Sequence, residues 1–342
     1  TVGSANVQYL NNNVTSQALT NAGTLSLVQA QAADGPLISN YNLSLNNSAF
    51  TIIKANLVLT GSRAYNGGTA ANASDLMAQG VGNEYFTLNG TAGTVASKNV
   101  QYSNGAIISQ ALTSLGGLTL GGGNGGAIAG NYNSISTNNS AFTINQANLS
   151  KVTASKTYDG FGTVKAAEMS AIEGVNGETF TASSGTATIS DKNVVTANKT
   201  VTDLSGLVLS GNTTAAVSSN YNLSTGLPAA GAANSVTINK LQISGAIAGV
   251  TTNYGSNAAT GSVNLIGVIG TDQVTASGAV ISGAAFSSSG NLKAGTYVQT
   301  ADGALGGIDA GNYSFGGTSS ANYVVNKLAV TSQIADVSTT YG

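Results

Sequence analysis

The chain has no Cys, no His and no Trp, and only 2 Pro and 2 Met in 342 residues. Without Cys there are no disulfides, zinc–thiolate centres or thiol nucleophiles. Without His the Ser-His-Asp triad, haem–His ligation and most catalytic zinc sites are excluded as well. Charge is equally scarce, at 7% of residues where roughly 25% is usual for soluble proteins. The 11 Lys and Arg are scattered singly, so no basic stripe offers itself to a phosphate backbone, and no nucleic-acid partner is expected. Glu84, Glu178 and Asp272 stand near turns but far apart in sequence. A calcium loop needs several carboxylates converging in one short segment, and a glycosidase needs a carboxylate pair. Neither pattern can be located, so we expect no catalytic residues, no metal and no cofactor. No apolar run approaches the ~18 residues of a membrane-spanning helix. Thr1-Val2-Gly3-Ser4 lacks the basic-then-apolar pattern of a signal peptide, so any export signal is expected outside this window.

What the chain does contain is 42% apolar residues, 45 Gly and abundant Thr, Ser and Asn, at a net charge of −2. Disorder calls for low hydrophobicity and high net charge, so this composition predicts a folded chain. Self-comparison is the informative step. Thr1-Val2-Gly3-Ser4-Ala5-Asn6-Val7-Gln8-Tyr9 returns as Thr94-Val95-Ala96-Ser97-Lys98-Asn99-Val100-Gln101-Tyr102. Asn47-Ser48-Ala49-Phe50-Thr51-Ile52 returns as Asn139-Ser140-Ala141-Phe142-Thr143-Ile144. An Asn-Tyr pair recurs at Asn40-Tyr41, Asn131-Tyr132, Asn220-Tyr221 and Asn312-Tyr313, giving tyrosine spacings of 91, 89 and 92. Units close on Ile53-Lys54, Asn145-Gln146, Asn239-Lys240 and Asn326-Lys327 and open on Tyr65-Asn66-Gly67, Tyr158-Asp159-Gly160, Tyr254-Gly255 and Tyr341-Gly342. The boundaries so drawn give the back of one unit at 1–58, units at 59–150, 151–243 and 244–330, and the first strand of a further unit at 331–342.

Within a unit, stretches such as Ser235-Val236-Thr237-Ile238 alternate apolar with polar residues, the period-2 mark of a half-buried strand. Only Ala71 to Gln79 and Lys165 to Ile172 carry a short helical signal. The fold class expected is all-β: a tandem array of about 90-residue β-sandwich or β-grasp-like domains forming an elongated rod. A continuous parallel β-helix is the alternative, since Gly, Asn and Thr are abundant there too. Tyr65, Gly67, Tyr158, Asp159, Gly160, Tyr254 and Gly255 define a recurrent turn, because Asp-Gly and Asn-Gly suit tight turns with positive φ. Tyr41, Tyr132, Tyr221 and Tyr313 read as tyrosines that start a strand and hydrogen-bond across a corner. Lys54, Lys240 and Lys327 near the unit ends invite Lys–Asn cross-links, but Gln146 holds the equivalent place in the second unit. Such a bond is therefore no property of the repeat.

Lys156-Thr157-Tyr158-Asp159-Gly160, Gly174-Val175-Asn176-Gly177-Glu178, Asp191-Lys192-Asn193-Val194, Asn220-Tyr221-Asn222-Leu223 and Thr237-Ile238-Asn239-Lys240 together carry a likeness. In order and spacing they resemble the tandem YDG and MBG (mostly-beta, glycine-rich) domains of filamentous-haemagglutinin-like adhesins of Gram-negative bacteria. The third unit fits best, and the fourth resembles the MBG variant. The resemblance implies a very long protein, exported to the cell surface or beyond, used in attachment, aggregation or biofilm matrix. Two roles follow. In the first, the units are stalk or spacer repeats whose partners are neighbouring repeats, other copies of the chain, a matrix polysaccharide or a host surface. In the second, one unit binds a glycan or protein, and the fourth, with Phe286, Tyr297, Tyr313, Phe315 and Tyr323, is the candidate. Thr1 aligns with Thr94, so the first unit lacks the counterpart of residues 59–93. We therefore expect a window on a longer covalent chain that continues in both directions.

Overall fold

The structure, a computed structural model, describes residues 1–28, 39, 41–213, 216–256 and 258–342. Asn40, half of the first Asn-Tyr landmark, lies outside the described residues. The chain divides into two compact units. The first is Thr1–Ala147 together with Val217–Asn222, and the second is Asn148–Ala216 with Leu223–Gly342.

In the first unit a five-stranded sheet runs in the order Thr119–Asn124, Tyr85–Asn89, Leu76–Gln79, Val58–Ala64, Ser140–Asn145. A three-stranded sheet of Leu112–Ser114, Gly93–Val95 and Ala70–Ala71 accompanies it. Alternation decides which residues go inside: Leu76 and Ala78 are buried and Met77 and Gln79 exposed, while Phe86 and Leu88 are buried between exposed neighbours. Leu59, Phe142 and Ile144 from the large sheet and Ala71, Val95 and Leu112 from the small one are likewise buried. This is the layered arrangement of a β-sandwich. Residues 1–58 contribute the hairpin Gln8–Leu10 with Asn13–Thr15, matched a repeat later by Gln101–Ser103 with Ala106–Ile108. Asn104 and Gly105, at φ 50° and 79°, turn the second hairpin.

The second unit repeats the plan. One sheet orders Met169–Glu173, Lys151–Thr157, Asn234–Asn239; another builds Thr163–Lys165, Val201–Asp203 and Leu207–Gly211 onto the long strand Phe180–Ile189. Next come a sheet of Val263–Ile266, Leu241–Ile247 and Tyr313–Phe315 and one of Val250–Asn253, Thr318–Asn326, Gly295–Ala301 and Val280–Ser282.

Most strand pairs are antiparallel. The parallel ones are Val58–Ala64 with Ser140–Asn145, Lys151–Thr157 with Asn234–Asn239, Leu241–Ile247 with Tyr313–Phe315, and Val250–Asn253 with Thr318–Asn326. A β-helix stacks parallel coils throughout, so the sandwich-like array describes this fold and the β-helix does not. Both short helical windows fold otherwise than their local pattern suggests. Each is one 3-10 turn, Ala73–Asp75 or Ala166–Glu168, running into a strand, Leu76–Gln79 or Met169–Glu173. Pairing with Val58–Ala64 and Lys151–Thr157 outweighs a helical preference of a few residues. Residues 327–342 form no strand, and Val330, Ile334 and Val337 are exposed. Their counterparts one repeat earlier, Ile243 and Ile247, are buried because Leu241–Ile247 pairs with neighbours on both sides. No helix of the described residues is long and apolar enough to cross a membrane.

Candidate functional site

The landmarks that define the repeat meet one another in space. In the second repeat the Tyr65 N–H donates to the Asn145 carbonyl, in the third the Tyr158 N–H to Asn239, and in the fourth the Tyr254 N–H to Asn326, at 2.8, 2.9 and 2.9 Å. The opening landmark is thus tied to the closing landmark of its own repeat. Gly67, Gly160 and Gly255, at φ 78°, 80° and 88°, sit in the left-handed region that the turn needs. Asp159 accepts from the Phe161 N–H at 3.1 Å and from the Lys156 ammonium, which also donates to the Phe161 and Thr163 carbonyls. Burial pushes the Asp159 carboxyl up, but these hydrogen bonds outweigh it and hold the group below its ordinary value. Lys156 has no exposed side-chain surface. One repeat earlier Arg63 stands in the same place and donates to Ala64, Gly68 and Ala70 carbonyls.

The Asn-Tyr pair belongs to a different contact, one that joins successive repeats. A 3-10 turn, Ala129–Asn131, Ser218–Asn220 or Ala310–Asn312, delivers each pair. The Asn131 Oδ1 accepts from the Val7 N–H, Asn220 from Val100 and Asn312 from Val194, at 2.9, 2.9 and 2.8 Å. The amide nitrogens of the same residues donate to the Oδ1 atoms of Asn6, Asn99 and Asn193, at 2.8, 2.9 and 3.1 Å. Each acceptor turn is set up alike: Ser4, Ser97 or Asp191 accepts the N–H of Asn6, Asn99 or Asn193 two residues on. Backbone completes the clasp. Ala55 bridges Tyr132 and Ala147 bridges Tyr221 in parallel, and Leu241–Ile243 at the end of the third repeat pairs with Tyr313–Phe315 of the fourth in the same sense. Tyr102 adds a hydroxyl bond to the Ser219 carbonyl at 2.7 Å, as Tyr9 does to Gly130.

The tyrosine of each pair is anchored beside the clasp. Tyr132 donates to the Glu84 carboxylate while its oxygen accepts from Val81 N–H at 2.9 Å, and its ring meets Phe86 edge-on at 5.6 Å. Tyr313 and Tyr158 both donate to Asp272 Oδ2, at 2.5 and 2.8 Å, and meet edge-on with ring centroids 5.4 Å apart. Burial, with the hydrogen bond to the carboxylate adding to it, raises the Tyr158 hydroxyl well above its ordinary value and Tyr313 to about 12. In the first unit Tyr65 and Tyr221 make the equivalent edge contact at 5.7 Å. Tyr132, Tyr221 and Tyr313 are buried, whereas Tyr41 is 60% exposed.

The sequence marks Asn131, Asn220 and Asn312 as half of a recurring Asn-Tyr pair but gives a role only to the tyrosines, whereas it is the asparagine amides that make the clasp. Their partners lie some 120 residues back, more than one period away. The recurrence of Asn-Val in Asn6-Val7, Asn99-Val100 and Asn193-Val194 was the available signal. The aromatics of the fourth repeat do not gather on one exposed face, since Tyr313, Phe315 and Tyr323 are buried while Phe286 is 58% exposed.

A search of curated proteins gives no match to the chain, and neither does a search of solved structures. A family model described as the YDG domain matches residues 143–229, a stretch that holds Tyr158-Asp159-Gly160, the acceptor turn at Asn193 and the docking pair Asn220-Tyr221. Residues 143–229 are thus similar to the YDG domain.

Proposed function

We propose that the chain is a run of structural stalk repeats from a large exported bacterial adhesin, placed at the cell surface or in an extracellular matrix and serving attachment, aggregation or biofilm formation. One observation carries this reading: the same asparagine clasp recurs at three successive repeat junctions, with the same donors and acceptors each time. Amide and backbone hydrogen bonds of this kind join and orient. Nearest-neighbour coupling of this type converts small units into one extended body, as in other repeat proteins. The scarce charge and the Thr, Ser and Asn of the outer faces keep such a body hydrated with little electrostatic repulsion, which favours association between copies.

Small-angle X-ray scattering tests the reading. A compact globule of this length has a radius of gyration of about 20 Å. A spacer should exceed that by more than half and show a rod-like cross-section region. A value near the globular one sinks the proposal.

A further inference from the structure

A passive spacer needs reach alone, and the topology supplies something more. In the second and third repeats the first and last strands are hydrogen-bonded neighbours and run parallel, Val58–Ala64 with Ser140–Asn145 and Lys151–Thr157 with Asn234–Asn239; in the fourth, Val250–Asn253, which follows directly on Leu241–Ile247, pairs in the same sense with the last strand Thr318–Asn326. The chain enters such a pair at the start of one strand and leaves at the end of the other. Tension along the chain therefore pulls the two strands past each other lengthwise. In the third repeat the pairing runs from Val152 opposite Asn234 to Thr157 opposite Asn239, and the Tyr158 N–H bond to the Asn239 carbonyl extends it by one more. Every hydrogen bond in that row must stretch at once before any fails. Had the two strands been antiparallel neighbours, the same tension would open the pair from one end, one bond at a time.

We propose that each repeat is a shear-loaded clamp, so that the chain transmits tension between its ends and resists unfolding under it. The inference goes beyond the stalk reading and rests on strand direction alone. A protein that holds a cell to a surface against flow, or one copy to another in a fibre, has use for this property.

The absence of Cys allows handles to be placed at will on the full chain. Asn148→Cys with Lys240→Cys attaches force at opposite ends of the strand pair and loads it in shear. Asn148→Cys with Ala232→Cys attaches it at the same end and peels the strands apart. All three positions are exposed, and thermal melts check that both variants are folded. At one pulling speed, single-molecule stretching should need several-fold more force in the first geometry, with a length gain on the order of 300 Å at 3.3–3.6 Å per residue. Equal forces in the two geometries overturn the clamp while leaving the spacer reading intact. Should a variant fail to fold, the unaltered chain pulled through its ends decides: the clamp requires a series of separate events of that length, and a featureless extension at low force overturns it.

Discussion

Replacing Asn220 by Ala removes both side-chain bonds of one of the two clasps in the first unit. The Val100 N–H loses its acceptor at a position where Val100 is only 5% exposed and Asn220 itself is fully buried. A buried donor left without a partner costs about 1–3 kcal/mol, and the lost bond to Asn99 adds about 1 kcal/mol. The sum is about 2–4 kcal/mol. For a body of 150–250 residues each kcal/mol moves Tm by about 2–4 °C, so the transition of the first unit should fall by about 4–16 °C. Scanning calorimetry of the full chain reads this directly. Asn148→Ala, at an exposed position, is the control and should stay within about 0.5 kcal/mol. Asn220→Asp keeps an acceptor for Val100 but loses the donor to Asn99 and buries a charge, so it should cost at least as much as Ala. If Asn220→Ala shifts the transition no more than the control, the clasp is incidental contact and the coupling argument fails.

Lys156→Ala should lower the denaturant midpoint of its repeat by an amount equivalent to about 1–3 kcal/mol, because the buried ammonium shared by the partly exposed Asp159 and the Phe161 and Thr163 carbonyls is lost. Lys156→Arg should be tolerated, as Arg63 fills the same place one repeat earlier. Alkaline pH should unfold the second unit. The Tyr313 hydroxyl titrates at about 12 in the folded chain against 10.0 ordinarily, so its contribution is complete below pH 10 and lost as pH rises from there to 12. Tyr313→Phe should flatten the pH dependence of Tm across that window. Melts with and without EDTA or thiol should superimpose, since the sequence has no Cys or His and no metal-capable cluster occurs among the described residues. A drop of several degrees with EDTA would expose a metal site.

Strand content and the repeat were legible because both are short-range properties. Alternation in Ser235-Val236-Thr237-Ile238 reappears as the buried Val236 and Ile238 of one strand, and the glycines after Tyr65 and Tyr158 take the positive φ their turns require. The helical windows misled because Leu76 and Ala78, two residues apart, fit a strand's inner face once Val58–Ala64 lies beside them. That partner is remote in sequence. The clasp was hidden for a similar reason, magnified: an Asn before a Tyr looks like turn chemistry, and only the fold shows that its amide spans to a valine N–H in the preceding repeat. The buried Lys156 was equally hard to see, since a lone Lys beside Asp159 reads as a surface pair.

The direction in which the clasp reaches has a consequence for how the chain is made. Asn131, Asn220 and Asn312 each point back to a turn synthesised more than a hundred residues earlier. A ribosome releases the acceptor first, so a repeat that carries an Asn-Val turn emerges with that turn unfilled and waits for its successor to fill it. Assembly then proceeds like a zip drawn from the N-terminal side, every newly folded repeat finishing the one ahead of it.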